Sequence, residues 1–475
     1  MTDDNDLCFT PATELAALIR ARRLSPVELV EALLARIDLL NPRLNAYCTV
    51  TAEAARQEAR AAEEAVMRTA RGSGGELGPL HGVPCSIKDV TYTKGVRTTL
   101  GSKLYEHYVP NEDAPVVERL KAAGAIVLGK TCTPELGWKG ATDSPLFGIT
   151  RNPWNLERTA GGSSGGAAAA VAAGLGPLAT GTDGAGSIRI PSSFCGIVGH
   201  KPSFGLVPYY PPSAAELVAH IGPMTRTVRD TALMLDVMSG PDDRDRNSLP
   251  VTGGAYLAAC EGSVRGLRVA WSADLGFAPI EPEVRRIAEQ AARRIAGLGC
   301  QVDDASPGFA DPAQTIGMLF YCGVAGRVVS QPAGWRDLVD PGLVRIVDEY
   351  RTRTAYDLAQ ALADRNALWA TVRSFFEHFD LLLTPTMPLP AFPVGKDFPD
   401  AIDGQLRTHL TWTPFTYPFN LTGQPALTVP CGWTSDGLPV GLQIVGRRLD
   451  DATVLRAAAA FEAAAPWGDR QPPVS

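Results

Sequence analysis

The sequence predicts an α/β fold in which a β-sheet is covered by helices. Short apolar strands alternate with helical patterns from Pro79 onward, and this alternation is typical of α/β architecture. The 475 residues contain neither an internal repeat nor a low-complexity linker, and a chain of this length can bury one large core. We therefore expect a single domain over residues 1–475.

The N-terminal part of the chain, up to residue 75, is predicted to be helical. Ser25, followed by Pro26 at the first helical position, marks a helix start, and apolar residues recur at helical spacing after it. The pair Asn41 and Pro42 predicts the end of this helix, because proline interrupts helical hydrogen bonding. A second helix, rich in Ala, Glu and Arg, is expected at about 52–68.

Further elements continue the alternation to the C-terminus. The segment 313–380 is predicted to be mostly helical and carries many aromatic residues. The other expected elements are strands at 83–87, 125–128, 267–271, 300–302 and 440–445, and helices at 116–123, 283–298 and 452–464.

Composition and charge exclude several classes of protein. The formal charge is −7 and no run of Lys and Arg could follow a phosphate backbone, so we expect no nucleic-acid partner. The nine cysteines form no CxxC pair, which indicates free thiols in a reducing compartment. The acidic start, residues 1–6, does not resemble a secretory signal, and no apolar run could cross a bilayer. We therefore expect a cytoplasmic protein without a membrane partner.

Several familiar motifs occur in contexts that argue against them. Residues 124–131 match the phosphate-loop pattern GxxxxGK[ST], but their interior is apolar strand sequence. Residues 161–165 match the nucleophile elbow GxSxG, yet no apolar strand precedes them. Neither His378 nor His409 is marked as a triad partner, and the six histidines show no metal-ligand spacing, so we expect neither a metal nor another cofactor.

Three segments carry a different chemistry. Lys88 ends the apolar strand at 83–87, where its stem would be buried. The run GGSSGG at 161–166 leaves so little side-chain volume that backbone or substrate must approach closely. In 181–191, small residues precede Ser187 and form a turn whose N–H groups can converge on a developing oxyanion. Taken singly, each segment has a simpler interpretation: a lysine that reaches solvent, a flexible linker, and a turn without function.

Together these segments resemble the amidase signature enzymes. Lys88 in its strand, the GGSSGG run and the pattern D-x-x-GSIR-x-P match the family's motifs, and Ser163 and Ser187 lie 24 positions apart, like the family's paired serines. The resemblance extends from about Thr10 to the C-terminal helix. It implies a central mixed β-sheet covered by helices on both faces. It also implies a signature core at 76–230, a variable helical segment on the substrate side at 313–380, and completion of the core at 381–475.

The resemblance implies a mechanism as well. Ser187 would be the nucleophile, Ser163 a bridging serine after a cis peptide bond, and Lys88 the base. A lysine acts as a base only when it is neutral, and burial can lower its pKa by roughly 3–5 units. The oxyanion hole would consist of the backbone N–H groups of Gly184, Ala185, Gly186 and Ser187.

Other residues of these segments are expected to support the site. Asp183 and Arg189 would hold the loop by hydrogen bonds, and Ser164 would cap the Ala-rich helix that follows it. The sequence departs from the commoner family pattern, which has a larger residue where Gly184 stands and glycine where Ala185 stands. This exchange could reshape the side of the site that holds the leaving group.

The substrate is expected to be a small apolar or aromatic amide, with carbamates and esters as an extension because their carbonyl geometry is the same. The chain would then act as a monomer or homodimer. The alternative is a glutamine-dependent amidotransferase subunit that works with partner proteins. The aromatic residues expected to line the pocket are Trp138, Phe147, Tyr209, Tyr210, Phe320, Tyr321, Trp412 and Phe415.

Overall fold

The structure of the chain is a computed structural model that describes residues 4–73, 75–250, 254–331 and 333–474. Residues 1–3 and 475, the two ends of the predicted domain, lie outside the described residues. The described strands are β1 (Tyr47–Val50), β2 (Pro84–Lys88), β3 (Ile126–Thr131), β4 (Asp143–Ser144), β5 (Gly148–Ile149), β6 (Arg151–Asn152), β7 (Asn155–Thr159), β8 (Leu178–Asp183), β9 (Val198–Lys201), β10 (His220–Thr225), β11 (Arg268–Trp271), β12 (Gln301–Asp304), β13 (Leu381–Pro385), β14 (Ala401–Ile402), β15 (Gln405–Leu406), β16 (Ala426–Trp433) and β17 (Pro439–Gly446). The described helices are α1 (Asp4–Phe9), α2 (Ala12–Arg20), α3 (Pro26–Leu44), α4 (Ala52–Ala70), α5 (Pro115–Ala122), α6 (Gly165–Ala172), α7 (Arg189–Cys195), α8 (Val228–Met238), α9 (Tyr256–Ala259), α10 (Pro282–Gly297), α11 (Ala313–Val329), α12 (Pro341–Tyr350), α13 (Ala355–His378), α14 (Pro418–Thr422) and α15 (Asp451–Ala464).

Eleven of these strands form one mixed sheet, in the order β1-β3-β2-β8-β10-β9-β16-β17-β13-β11-β12. Strand β2 runs parallel to both β3 and β8, and β11 runs parallel to both β12 and β13. The other neighbouring pairs in this sheet are antiparallel. The predicted α/β class and mixed sheet are confirmed.

Both faces of the sheet are buried. In β13, Leu381 and Leu383 belong to one hydrophobic cluster and Leu382 to a second one. Successive side chains of a strand point to opposite faces, so the two clusters cover opposite faces of the sheet. The first cluster includes Leu455 of α15, and the second includes Leu343 of α12. Helices therefore cover both faces, as expected.

Helix α3 begins as predicted but ends later. Ser25 Oγ accepts hydrogen bonds from the N–H groups of residues 27 and 28, at 3.0 and 3.4 Å. The predicted end at Pro42 is wrong, because the helix continues to Leu44. Proline has no N–H group, so the last turn lacks one hydrogen-bond donor. Two contacts after it stabilise the end of the helix. Asn45 adopts a left-handed conformation, and Asn41 Oδ1 accepts the N–H of Ala46 at 2.8 Å.

The remaining predicted elements are present, with shifts of a few residues at most. The predicted helical segment 313–380 consists of α11, α12 and α13. Residues 126–131, inside the phosphate-loop pattern, form the buried strand β3, so that pattern is not a loop. Among the described helices, none combines the length and the apolar character that a bilayer crossing requires.

Candidate active site

Lys88 lies where two parallel strands end. It is the last residue of β2, and Thr182 is the last but one of β8. The carboxyl ends of parallel neighbours lie at the same edge of a sheet, so the two side chains meet. Lys88 Nζ donates hydrogen bonds of 2.8 Å to Thr182 Oγ1, Ser163 Oγ and Ser164 Oγ. One buried amine thus contacts three hydroxyl groups, of which Thr182 was not foreseen from the sequence.

The environment of Lys88 favours the neutral amine. Its side chain is fully buried, and its three side-chain partners are uncharged hydroxyl groups. Burial lowers the pKa of Lys88 well below its ordinary value, against the opposing charge of Asp183. A neutral amine donates only two hydrogen bonds, so its lone pair is left to accept from the third hydroxyl group. Such a lone pair can take up a proton, which is the property that the predicted base requires.

The GGSSGG run forms a tight turn into α6. The Gly162–Ser163 peptide bond is cis, as the family resemblance implied. A Cβ at Gly166 would lie 2.4 Å from the backbone nitrogen of Cys132 and 2.5 Å from the carbonyl oxygen of Ala46. The close backbone approach predicted for this run is therefore present, and the alternative of a flexible linker is wrong.

Ser164 does not have the predicted capping contact. It occupies the N-cap position of α6, but its hydroxyl group makes no side-chain cap hydrogen bond. Instead, Ser164 Oγ accepts from Lys88 Nζ at 2.8 Å and from the N–H of Thr182 at 3.2 Å. Because the hydroxyl group faces β2 and β8, it holds the amine of Lys88 rather than the end of the helix.

Ser187 and Ser163 line the same cleft, whose space amounts to about 720 Å³ when the solvent at its open mouth is included. In the part of the chain that the structure describes, no hydrogen bond joins their two hydroxyl groups. Hydrogen bonds between catalytic groups are often long before a substrate is bound. Of the predicted proton relay, the link from Lys88 to Ser163 is a direct hydrogen bond, and Ser187 faces the same space.

The loop before Ser187 offers fewer free N–H groups than predicted. The N–H of Gly186 donates to Asp183 Oδ1 at 2.7 Å, so it is not free for an oxyanion. This corrects its assignment to the oxyanion hole. Among the described residues, the N–H groups of Ala185 and Ser187 have no acceptor. Gly184 lines the cleft beside them.

Asp183 and Arg189 hold this loop through a buried ion pair. Arg189 donates to both carboxylate oxygens of Asp183, at 2.9 and 3.0 Å, and both side chains are fully buried. Burial alone would raise the pKa of Asp183, but the charge and hydrogen bonds of Arg189 hold it below its ordinary value. Asp183 therefore stays ionised, and its hydrogen bonds with Arg189 hold the loop, the contact expected of these two residues.

The C-terminal core completes this ion pair. Arg189 also donates to Asn420 Oδ1 at 2.6 Å and to Gln443 Oε1 at 2.8 Å. Asn420 Nδ2 donates back to Asp183 Oδ1 at 2.9 Å. Neither amide was predicted from the sequence. Gln443 did offer a signal, because it is a polar residue in the apolar strand β17, where a buried amide needs a partner.

Two of the eight aromatic residues predicted for the pocket, Tyr209 and Phe320, line the cleft. The other six lie elsewhere, so their assignment to the pocket is corrected. Tyr210 donates to Glu112 Oε1 at 3.2 Å, and Phe147 lies under the guanidinium group of Arg97. Large aromatic side chains pack into the core by default. The four that do so here are Trp138, Tyr321, Trp412 and Phe415.

The cleft contains further residues that were not predicted from the sequence. Val324 and Arg327 line it from α11 beside the predicted Phe320, at the spacing of one helical face. This spacing is visible in the sequence and could have indicated that the three residues share a face. Leu100 and Leu136 also line the cleft and have φ angles of 56° and 52°, which are rare for bulky residues. The N–H of Leu136 donates to the carbonyl oxygen of Leu100 at 2.7 Å, and this hydrogen bond ties the two loops together.

The fold and the site define an amidohydrolase of the amidase signature family. The chain belongs to this family: the sequence model described as Amidase matches residues 28–455. An acylamidase of Rhodococcus erythropolis is 44% identical over 99% of this chain and 98% of its own length. A glutamyl-tRNA(Gln) amidotransferase subunit of Roseiflexus sp. (strain RS-1) is 39% identical over 99% of both chains. A crystal structure of a bacterial aryl acylamidase of the amidase signature family superposes with a TM-score of 0.91, at 32% identity and 97% coverage of both chains.

Proposed function

We propose that the chain hydrolyses small apolar or aromatic amides through an acyl-enzyme on Ser187. One observation carries the proposal: buried Lys88 lies 2.8 Å from Ser163 Oγ, in the wall of the cleft that Ser187 lines. A serine hydroxyl group needs a base to lose its proton, and a lysine with a lowered pKa can be that base at neutral pH. In this scheme Ser187 is the nucleophile, Ser163 is the proton relay and Lys88 is the base.

The proposed steps move one proton along this relay. Ser187 Oγ attacks the carbonyl carbon, its proton passes to Ser163 Oγ, and the proton of Ser163 passes to Lys88 Nζ. When the C–N bond breaks, Ser163 gives a proton to the leaving nitrogen and regains one from Lys88. Water then attacks the acyl-enzyme by the same route and releases the acid and Ser187.

The oxyanion of the tetrahedral intermediate needs donors that are already in place. The N–H groups of Ala185 and Ser187 have no acceptor among the described residues, which supports this assignment. Asp183 supports it indirectly, because it fixes the N–H of Gly186 and thereby the turn that carries both donors.

The substrate class follows from the lining of the cleft and from the relatives. Tyr209, Phe320, Val324 and Leu136 give the cleft an apolar and aromatic wall. The names acylamidase and aryl acylamidase of the similar proteins agree with amides of this kind. Carbamates and aryl esters present the same carbonyl geometry and are included in the proposal. The chain would act as a monomer or homodimer on a diffusible molecule in the cytoplasm.

A second candidate is an amidotransferase subunit that hydrolyses glutamine and works with partner proteins. It is favoured by several relatives that are named as subunits of glutamyl-tRNA(Gln) amidotransferases, at 35–39% identity over nearly the whole chain. It predicts ammonia release from glutamine and stoichiometric co-purification with other subunits.

The test uses chromogenic substrates. Release of nitroaniline or nitrophenol is followed for acyl anilides, aryl carbamates and aryl esters, with glutamine hydrolysis alongside and a chelator present. We expect the wild-type protein to cleave the anilides and Ser187→Ala to cleave none of the panel. If Ser187→Ala retains a tenth of the wild-type rate, the nucleophile assignment is wrong. Activity on glutamine alone would favour the amidotransferase.

A further inference from the structure

One charged group of the cleft has no neutralising partner among the described residues. Of the described residues that line it, Asp183 and Arg327 carry a full charge. The carboxylate of Asp183 is bound by Arg189, Asn420 and the N–H of Gly186. The guanidinium group of Arg327, by contrast, has neither an ion pair nor a hydrogen bond among the described residues. The remaining charge of the cleft is therefore positive.

The position of Arg327 relative to the reacting centre follows from helix geometry. Phe320 and Arg327 lie on the same face of α11, and seven residues of helix span about 10 Å. The ring of Phe320 lies against the loop that precedes Ser187. A Cβ at Gly184 in this loop would be 2.6 Å from the Cε2 atom of Phe320. Arg327 is thus about two helical turns away from the carbonyl that Ser187 would attack.

The positive charge of Arg327 affects two tyrosine side chains of the cleft. Tyr92 and Tyr209 both line it. Burial raises the pKa of Tyr92 to about 12 and also raises that of Tyr209, and in each case the positive charge of Arg327 opposes the rise. Both rings therefore lie within the field of the guanidinium group.

We propose that Arg327 binds a carboxylate or a similar anionic group at the far end of the substrate. This inference rests on the proposed amide hydrolysis and narrows its substrate class. Preferred substrates would have an apolar or aromatic body and an anion about 10 Å from the scissile carbonyl. Guanidinium groups bind carboxylates through two parallel N–H donors, so such an anion gains both affinity and orientation.

The same charge distribution disfavours glutamine. A free amino acid carries an ammonium group beside its carboxylate, and that ammonium group needs an acidic partner. Asp183, the carboxylate of the cleft lining, is already bound by Arg189. A substrate with an anion alone fits the charges of the cleft better than a zwitterion does.

Three p-nitroanilides of equal length test the inference. They are the octanoyl compound, the 7-carboxyheptanoyl compound and the 8-aminooctanoyl compound, which end in a methyl, a carboxylate and an ammonium group. We expect wild-type kcat/KM to favour the carboxylate over the methyl by about 10- to 100-fold, the range of a charge-assisted pair. Arg327→Gln should remove most of this ratio, and Arg327→Glu should shift the preference toward the ammonium compound.

A control variant and a binding measurement separate failure of this inference from failure of the proposed hydrolysis. Arg345→Gln removes an exposed charge of the neighbouring helix α12 and should preserve the wild-type ratio. Calorimetry with Ser187→Ala compares octananilide with suberic acid monoanilide, with and without Arg327→Gln, and needs no turnover. Turnover without a carboxylate preference would overturn the inference and leave the proposed function standing. If binding of the carboxylate compound depends on Arg327 but no substrate is turned over, the inference stands and the proposed hydrolysis is wrong.

Discussion

The ring of Phe320 fills the space that a side chain at Gly184 would occupy. A Cβ at residue 184 would lie 2.6 Å from Cε2 of Phe320, closer than real Cβ atoms approach. The commoner pattern of the family has a larger residue at this position. In this chain the volume is instead supplied by α11, so the position of this helix and that of the loop before Ser187 depend on each other.

Substitution of Gly184 by Ala should therefore disturb the cleft through Phe320. The φ angle of Gly184 is not among the positive values, so the backbone tolerates alanine and the clash is the main cost. Overpacking of this kind costs about 1–3 kcal/mol, and we expect kcat/KM to fall by at least about 10-fold. A double-mutant cycle with Phe320→Ala measures the coupling. If the effects of Gly184→Ala and Phe320→Ala are additive, the contact does not matter.

The lowered pKa of Lys88 predicts the pH dependence of turnover. The base must be neutral to accept a proton. Burial lowers the pKa of Lys88, so this side chain loses its proton at a much lower pH than an ordinary lysine does. We expect kcat/KM to rise with pH through this pKa and then to reach a plateau. Lys88→Met should lower kcat/KM by at least about 10²-fold, the lower range of general-base catalysis. The exposed Lys94 offers the control Lys94→Met, and an unchanged rate and pH profile in Lys88→Met would refute the assignment.

Thr182 is predicted to be a positioning residue for this base. Its Oγ1 accepts from Lys88 Nζ at 2.8 Å, and an acceptor stabilises the charged amine more than the neutral one. Thr182→Val should lower kcat and also shift the acid limb of the pH profile of kcat/KM to lower pH. The shift separates this role from a general loss of structure, which would lower the rate at an unchanged pKa.

Much of the architecture could be predicted because it rests on local patterns. The strand that ends at Lys88 and the small residues around Ser163 and Ser187 were readable in the sequence, and the structure places all three around one cleft. The end of α3 was misjudged because Pro42 lies in the last turn, and the helix is closed only after it, by the left-handed cap at Asn45.

The misassigned residues depend on tertiary contacts. Ser164 stands where a capping serine would stand, but the facing Lys88 competes for its hydroxyl group. Gly186 donates to Asp183 because Arg189 orients that carboxylate. No pattern within a single segment reveals which of two possible partners lies closer.

A second buried lysine, Lys201, makes stability depend on pH. It is the last residue of β9, and its Nζ donates to the carbonyl oxygen of Gln424 at 2.5 Å and lies 3.3 Å from Nε2 of His220. Burial, followed by the charge of Arg189, lowers the pKa of Lys201 from 10.5 to about 7, although Asp183 and Asp451 oppose this. Between these two values the unfolded chain binds a proton that the folded chain does not bind. The contribution of this group to stability therefore rises with pH, by up to about 1.4 kcal/mol per pH unit.

Comparison of wild-type protein with Lys201→Met isolates this contribution, because the other titrating groups are common to both. The variant leaves the carbonyl oxygen of Gln424 and the ring of His220 without their donor, which adds a cost that is nearly constant with pH. Urea unfolding at a series of pH values gives the difference in unfolding free energy. We expect this difference to be flat below the folded-state pKa of about 7 and to move in favour of the wild-type protein above it. The unfolding free energies of the two proteins can be plotted against pH. If the two plots stay parallel on both sides of that pKa, Lys201 keeps its proton in the folded protein. The amine would then be an ordinary buried cation held by the charges of Asp183 and Asp451.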